Sequence, residues 1–306
     1  MTDCKLTLGP LLYHWPTERK LDFYRRIAAE APVDTVVLGE VVCPKRTAGE
    51  EILPELIALL QAAGKEVVLG SLALVMQPRE RHATADLLEL DLPVEAGDGT
   101  ALALLRGRPH HAGPLLPVAN EGTLAMLAGQ GLRRICFAGE LPGSTVAVLA
   151  AEAARLGVEA EAFVFGRLPL AISARCYHAR NHGLAKDGCQ FVCGEDPDGL
   201  VVDTLDGMPF VAINGVQTQT HSYVDLVGDL AALRAMGIHR FRLSPQDLDM
   251  VAVARTVRAT LDGQIDPEEA AERLQDLTPD TDHSNGFFHG LEGRVQVAGR
   301  SPGLVE

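Results

Sequence analysis

What most constrains this chain is a rhythm. Short runs rich in β-branched and aliphatic residues alternate with amphipathic stretches of helical period, repeatedly, from Lys5 to Leu261. Strand-length runs are read at Lys5–Gly9, Val33–Gly39, Glu66–Gly70, Asp91–Glu95, Leu115–Val118, Arg133–Ala138, Glu159–Phe165 and His239–Leu243. Helical periodicity is read over Glu18–Ala31, Gly49–Ala63, Pro78–Leu90, Asp98–Arg106, Asn120–Gly129 and Gly143–Leu156, and later over Ser222–Met236, Pro245–Leu261 and Pro267–Leu277. A strand followed by the helix that covers it requires this switch from period two to period 3.6. Eight such units predict an α/β fold, a (β/α)8 TIM-like barrel, irregular or incomplete where the fourth and fifth runs are weak. No glycine-rich phosphate fingerprint opens a helix, so a dinucleotide-binding open sheet lacks its mark.

The rhythm breaks after Gly166. The segment A-R-C-Y-H-A-R-N-H-G-L-A-K-D-G-C-Q-F-V-C-G-E is polar and glycine-rich, and it holds three of the six cysteines, Cys176, Cys189 and Cys193, spaced C-x12-C-x3-C. A hairpin, Leu200–Thr204 with Phe210–Asn214, is expected next around Asp206-Gly207. The expected organisation is a barrel over residues 1–262, with the cysteine insertion at 166–199, then a helix and a polar tail, given no assigned structure, over 263–306. In such a barrel the functional face is built by loops at the C-terminal ends of the strands. Cys43 lies just past the second strand and the triplet lies past the seventh, so all four thiols are expected on one face.

Four thiolates on one face admit three readings: ligands of an iron–sulfur cluster, zinc ligands, or reactive and unligated thiols. The spacing is not that of a zinc ribbon, which presents paired C-x2-C knuckles. Cys4 and Cys136 fall in apolar strand patterns and read as small buried hydrophobes. His178 and His182, four residues apart, are candidates for a mixed site with Cys176, or for loop contacts. A thiol protease pairing Cys176 with either histidine is disfavoured, because near neighbours on a short loop diverge. His110-His111 reads as an exposed turn. His14-Trp15 follows the first strand and is expected at the same mouth, with Trp15 stacking on a substrate or anchoring the rim. Glu40 and Glu140 each follow a strand directly, where carboxylates do chemistry or form rim salt bridges.

The net charge of −14 argues against a dedicated nucleic-acid binder, which carries a basic footprint. The start has an early acid and no apolar core of a leader, and no apolar run approaches the ~18 residues that span a bilayer. The expected location is therefore the cytoplasm, where cysteines serve as ligands, reactive thiols or core residues rather than disulfides.

The stretch Glu161–Cys176, E-A-F-V-F-G-R-L-P-L-A-I-S-A-R-C, resembles the signature of the collagenase-like peptidase family. In that signature an E-x-F-x-x-G strand leads into a loop ending in G-R-C or A-R-C. The resemblance continues upstream through Asn120-Glu121-Gly122-Thr123 and G-L-R-R-I-C-F-A-G-E-L. Within the family the details are similar to the UbiV branch, which serves oxygen-independent ubiquinone biosynthesis. The family's usual cysteine seven residues before the A-R-C one is here Pro169, and Cys43 matches the upstream cysteine that replaces it in that branch. The resemblance implies a [4Fe-4S] cluster on Cys43, Cys176, Cys189 and Cys193. It also implies a heterodimer with a UbiU-like subunit, a lipid-binding accessory protein, a quinone precursor as substrate and prephenate as hydroxyl donor. Alternatives within the family are a peptidase and an RNA-modifying hydroxylation factor. Where relatives carry a K-I-E-G-R-like last strand, this chain has His239-Arg240-Phe241-Arg242-Leu243-Ser244-Pro245, a departure that weighs against carrying over active-site residues from peptidase members.

Overall fold

The computed structural model describes residues 4–297. In chain order its strands and helices begin with β1 (Lys5–Leu8), α1 (Thr17–Glu30), β2 (Thr35–Leu38), α2 (Leu53–Ala62), β3 (Glu66–Gly70), α3 (Pro78–Leu87), β4 (Val94–Ala96) and α4 (Gly99–Leu104). There follow β5 (His110–Ala112), α5 (Glu121–Gly129), β6 (Leu132–Phe137), α6 (Gly143–Leu156), β7 (Glu159–Gly166), β8 (Pro169–Ile172) and α7 (Tyr177–Asn181). The chain continues with β9 (Leu200–Asp203), β10 (Pro209–Asn214), β11 (Gln217–Thr220), β12 (Tyr223–Asp225), α8 (Leu230–Ala235), β13 (Arg240–Leu243), α9 (Met250–Leu261), α10 (Pro267–Asp276) and β14 (His283–Ser284).

Strands β1 to β7 pair in parallel in sequence order, and β13 closes the ring by pairing in parallel with both β7 and β1. The expected (β/α)8 barrel is therefore complete. Its strands sort residues by parity. Leu6, Leu8, Val36, Leu38, Val67, Leu69, Phe241 and Leu243 pack in one apolar core with helical residues such as Ile27, Leu60, Leu124, Leu149 and Val257. The other parity turns inward and carries most of the buried charge. Arg134 on β6 reaches Glu66 on β3, and Arg242 on β13 reaches Glu95 on β4. These strands are not neighbours, so the pairs meet across the lumen.

Several expectations are corrected. The fifth strand is His110–Ala112 rather than Leu115–Val118, so His110-His111 is buried in the barrel wall, not an exposed turn. Leu115–Val118 is loop, with Pro114 and Pro117 removing donors a ladder needs. The expected helix Ser222–Met236 holds strand β12, a short 3-10 turn and only then α8. Helix α9 starts at Met250, where Asp249 caps it by accepting from Val251 and Ala252 N–H groups, rather than at Pro245.

The expected hairpin forms as β9 and β10 but is half of a larger unit, an antiparallel sheet ordered β8-β11-β10-β9 that stands apart from the barrel. The polar tail is ordered against the barrel as far as residue 297. Strand β14 pairs with β12, the Phe288 carbonyl accepts from Gly143 N–H at 2.7 Å, and Phe288 is buried. The remainder, 298–306, lies outside the described residues.

Candidate functional site

A glycine stands at the C-terminal end of seven barrel strands: Gly9, Gly39, Gly70, Gly97, Gly113, Gly139 and Gly166; Ser244 follows the eighth. A methyl at Gly97 would sit 2.5 Å from the Ser71 carbonyl, one at Gly70 2.7 Å from Val41, and one at Gly113 would strike the Glu95 carboxylate. The missing side chains let the loops close in and leave a pocket in the mouth. Its walls include Leu12, Val41, Leu115 and Phe163, and its floor carries Glu95 and Arg242. Arg242 is buried, forks onto both Glu95 oxygens, and also donates to Glu161 Oε2 at 2.7 Å through Nη2. Although burial opposes it, the Arg242 guanidinium holds the Glu161 carboxyl below its usual range. A pocket with apolar walls and a few fixed polar groups at the mouth of a barrel has the form of a ligand site.

Beside it lies a second pocket. Cys43, Cys176, Cys189 and Cys193 all line it, together with Lys45, Arg46, Lys186 and Gly215. Cys43 is brought there by the loop after β2, and Glu40 shapes that loop by accepting from the Val42 and Cys43 N–H groups at 2.8 and 2.9 Å. Cys176 caps α7, its sulfur accepting from Ala179 N–H at 3.3 Å. Cys189 and Cys193 are carried by two short 3-10 turns, with Gln190 and Phe191 between them in the left-handed region. Burial pushes the Cys43, Cys176 and Cys193 thiols up; backbone N–H groups act in the opposite sense at Cys43 and Cys176, and the Arg46 guanidinium does so at Cys193.

Arg46 is the residue that the sequence reading missed. It is buried, donates to the Leu12 carbonyl at 2.9 Å and to Asn214 Oδ1 at 2.6 Å, and lines the pocket with Cys193. Asn214 in turn donates to the carbonyls of Cys193 and Asp196. One guanidinium thus ties the loops after β1 and β2 to the insertion after β7. Gly215 is bare because a Cβ there would strike Arg46 Nη2. The only sequence signal was a cation three residues after Cys43 in C-P-K-R.

Other candidates take supporting places. Trp15 is buried and donates to the Pro197 carbonyl at 2.8 Å, which pins the insertion to the rim. His14 stacks on Phe191 at 5.0 Å, and burial lowers its pKa to about 4. His178 is fully buried, with Nδ1 3.2 Å from the Ile213 carbonyl and Nε2 2.9 Å from Asp196, and His182 stacks against it. Both ring nitrogens of His178 therefore face groups other than Cys176. Cys4 and Cys136 are buried in the main core. Glu140 is exposed on the rim.

The profile of peptidase family U32 matches residues 24–296. The chain belongs to peptidase family U32. Among solved structures, this U32 chain is similar to an uncharacterized Bacillus cereus protein at 15% identity and a TM-score of 0.42. That match covers 79% of this chain and 61% of the other, so the chain spans about three fifths of the B. cereus protein's length. It is also similar to a putative galactarate dehydratase of the enolase type from Agrobacterium radiobacter, at 14% identity and a TM-score of 0.36, over 53% of this chain and 45% of that one. Among the described residues no helix is long and apolar enough to cross a membrane.

Proposed function

We propose that this U32 member is the cluster-binding subunit of an oxygen-independent hydroxylase acting on a ubiquinone precursor, with a UbiU-like partner subunit. The observation that carries the reading is the meeting of four cysteines, from two loops far apart in sequence, around one pocket next to the barrel mouth. A [4Fe-4S] cluster takes four cysteine thiolates converging on one place, and all four cysteines line this pocket. The donor set also suits it chemically. A cluster with four thiolates is anionic, and Lys45, Arg46 and Lys186 line the same pocket. When bound, such a cluster supplies one-electron redox chemistry or a Lewis-acidic iron.

The chain's own residues do the remaining work. The Ala179 N–H donates to the Cys176 sulfur, and the Arg46 charge acts on Cys193; both favour thiolate over thiol. Leu12 and Val41 line the mouth pocket, while the Leu12 carbonyl is held by Arg46 and Cys43 follows Val41 by two residues. A ring bound in the mouth therefore sits one layer of protein from the sulfurs. Apolar walls exclude water there, and Glu95 and Arg242 offer a hydrogen-bonding floor. The lipid-binding accessory protein and prephenate as hydroxyl donor complete the proposed system.

Co-expression with a UbiU-like protein and purification without air test the reading. A brown heterodimer is expected, holding about four irons and as much acid-labile sulfide per chain. Cys43→Ala should lose that iron although the other three cysteines remain. A colourless protein holding stoichiometric zinc would overturn the proposal.

A further inference from the structure

A broad groove runs along the outer side of the cysteine pocket, between the segment that follows β3 and the insertion. Lys45, Arg79, Arg175, Arg180 and Lys186 line it, against only two carboxylates, Glu80 and Asp187. Glu80 is buried and already accepts from the Met76 and Gln77 N–H groups through Oε2. On a chain of net charge −14 this is a local reversal of sign. The two lysines are occupied with structure: Lys45 donates to the carbonyls of Lys186 and Asp187, and Lys186 to that of Ala174. They draw the 174–187 loop toward the Cys43 loop. The three arginines are exposed, come from α3, from the residue before Cys176 and from α7, and make no ion pair with a carboxylate among the described residues.

We propose that this groove binds a small organic polyanion, gripped by Arg79, Arg175 and Arg180. Guanidinium forks match the planar oxygens of carboxylate and phosphate and bind them two-pronged. The groove's space, about 660 Å³, has room for a metabolite of citrate size. Its compactness favours a small ligand over a nucleic acid. A long polyanion extends beyond a Debye length of about 8 Å from the patch and meets the acidic remainder of the surface. The groove shares Lys45, Cys176 and Lys186 with the cysteine pocket, so its ligand lies against the same wall. The inference stands whether or not the cysteines hold a cluster.

Titration calorimetry on the full chain tests it, with citrate as the polycarboxylate probe and pyrophosphate as the phosphate probe. One saturable site per chain is expected, weakened by added salt, and the tighter probe identifies the oxyanion. The triple variant Arg79→Gln, Arg175→Gln, Arg180→Gln should bind roughly tenfold or more weakly while its circular dichroism and melting temperature are unchanged. Phenylglyoxal labelling of the unmutated protein supplies a check that needs no variant, since the tighter probe should protect Arg175. Absence of saturable binding by both probes, or equal binding by the triple variant, overturns the proposal. So does binding of RNA or of an acidic protein at this face when neither probe competes.

Discussion

At Arg242 a single guanidinium answers two carboxylates, Glu95 from across the lumen and Glu161 from the next strand. Arg242→Met leaves both acids buried without their cation, and breaking such a pair costs about 3–5 kcal/mol. Urea unfolding should show a loss of that size with an unchanged slope. A second residue sets a pH dependence. His111 is buried in β5, and burial, with help from Arg134, holds its pKa at about 4. The unfolded chain takes up this proton near pH 6.5, before the folded one does. Stability is therefore retained above pH 6.5 and falls as pH drops from 6.5 toward 4, by on the order of 3 kcal/mol. His111→Asn should flatten that part of the curve, read from urea midpoints across the range. Glu66 and Glu161, whose pKa values lie below the ordinary carboxyl range, add their own losses only at lower pH. Neither arginine nor histidine was legible as an interior group from the sequence. A period-two pattern shows that alternate residues differ, and Arg240-Phe241-Arg242-Leu243 shows it plainly, but the polar parity of a half-buried strand is ordinarily read as solvent-facing. Closure of the barrel puts it inside instead.

Among the elements, the loop between β2 and α2 has the most to hold, since it carries Cys43 to the insertion. Glu40 fixes it through two backbone donors, and charge-assisted bonds of this kind are each worth about 1.5–3 kcal/mol. Glu40→Ala should open the loop locally and speed alkylation of Cys43 in the native protein by roughly tenfold or more. Glu40→Gln keeps an acceptor and should react close to the unmutated rate, a contrast that separates lost hydrogen bonding from lost charge. Strong elements were read well: α6 runs from Gly143 to Leu156 as its apolar spacing indicates, and β3 from Glu66 to Gly70. The failures are short or context-made. Strand β5 is only three residues, H-H-A, with less β-character than the L-L-P-V run beyond it. Tyr223–Asp225 looks like the first turn of a helix and becomes a strand because β7 and β14 flank it. The sheet β8-β11-β10-β9 is assembled from the Q-T-Q-T strand and Pro169–Ile172, neither of which announces a strand alone.

At the scale of the molecule the fold has two jobs kept apart. The barrel wall and its helices supply the apolar core, while the loops at one end make a mouth pocket, a cysteine pocket and a basic groove as immediate neighbours. The strand–helix rhythm made the barrel legible, and barrel logic then brought Cys43 toward the triplet. The glycines at the strand ends were present in the same sequence, in V-V-L-G, E-A-G and C-F-A-G, yet their meaning depends on seeing them form one ring. Arg46 was illegible for a different reason: its partners, the Leu12 carbonyl after β1 and Asn214 at the end of β10, are far from it in sequence. The division of the cysteines has a consequence for how the protein is made. A ribosome has emitted Cys43 long before it reaches Cys176, and the barrel cannot close until β13 pairs with β1. A nascent chain that ends before Cys193 lacks the complete sulfur set. The common face of these sulfurs is completed only once translation has passed Leu243 and β13 can pair with β1 and β7.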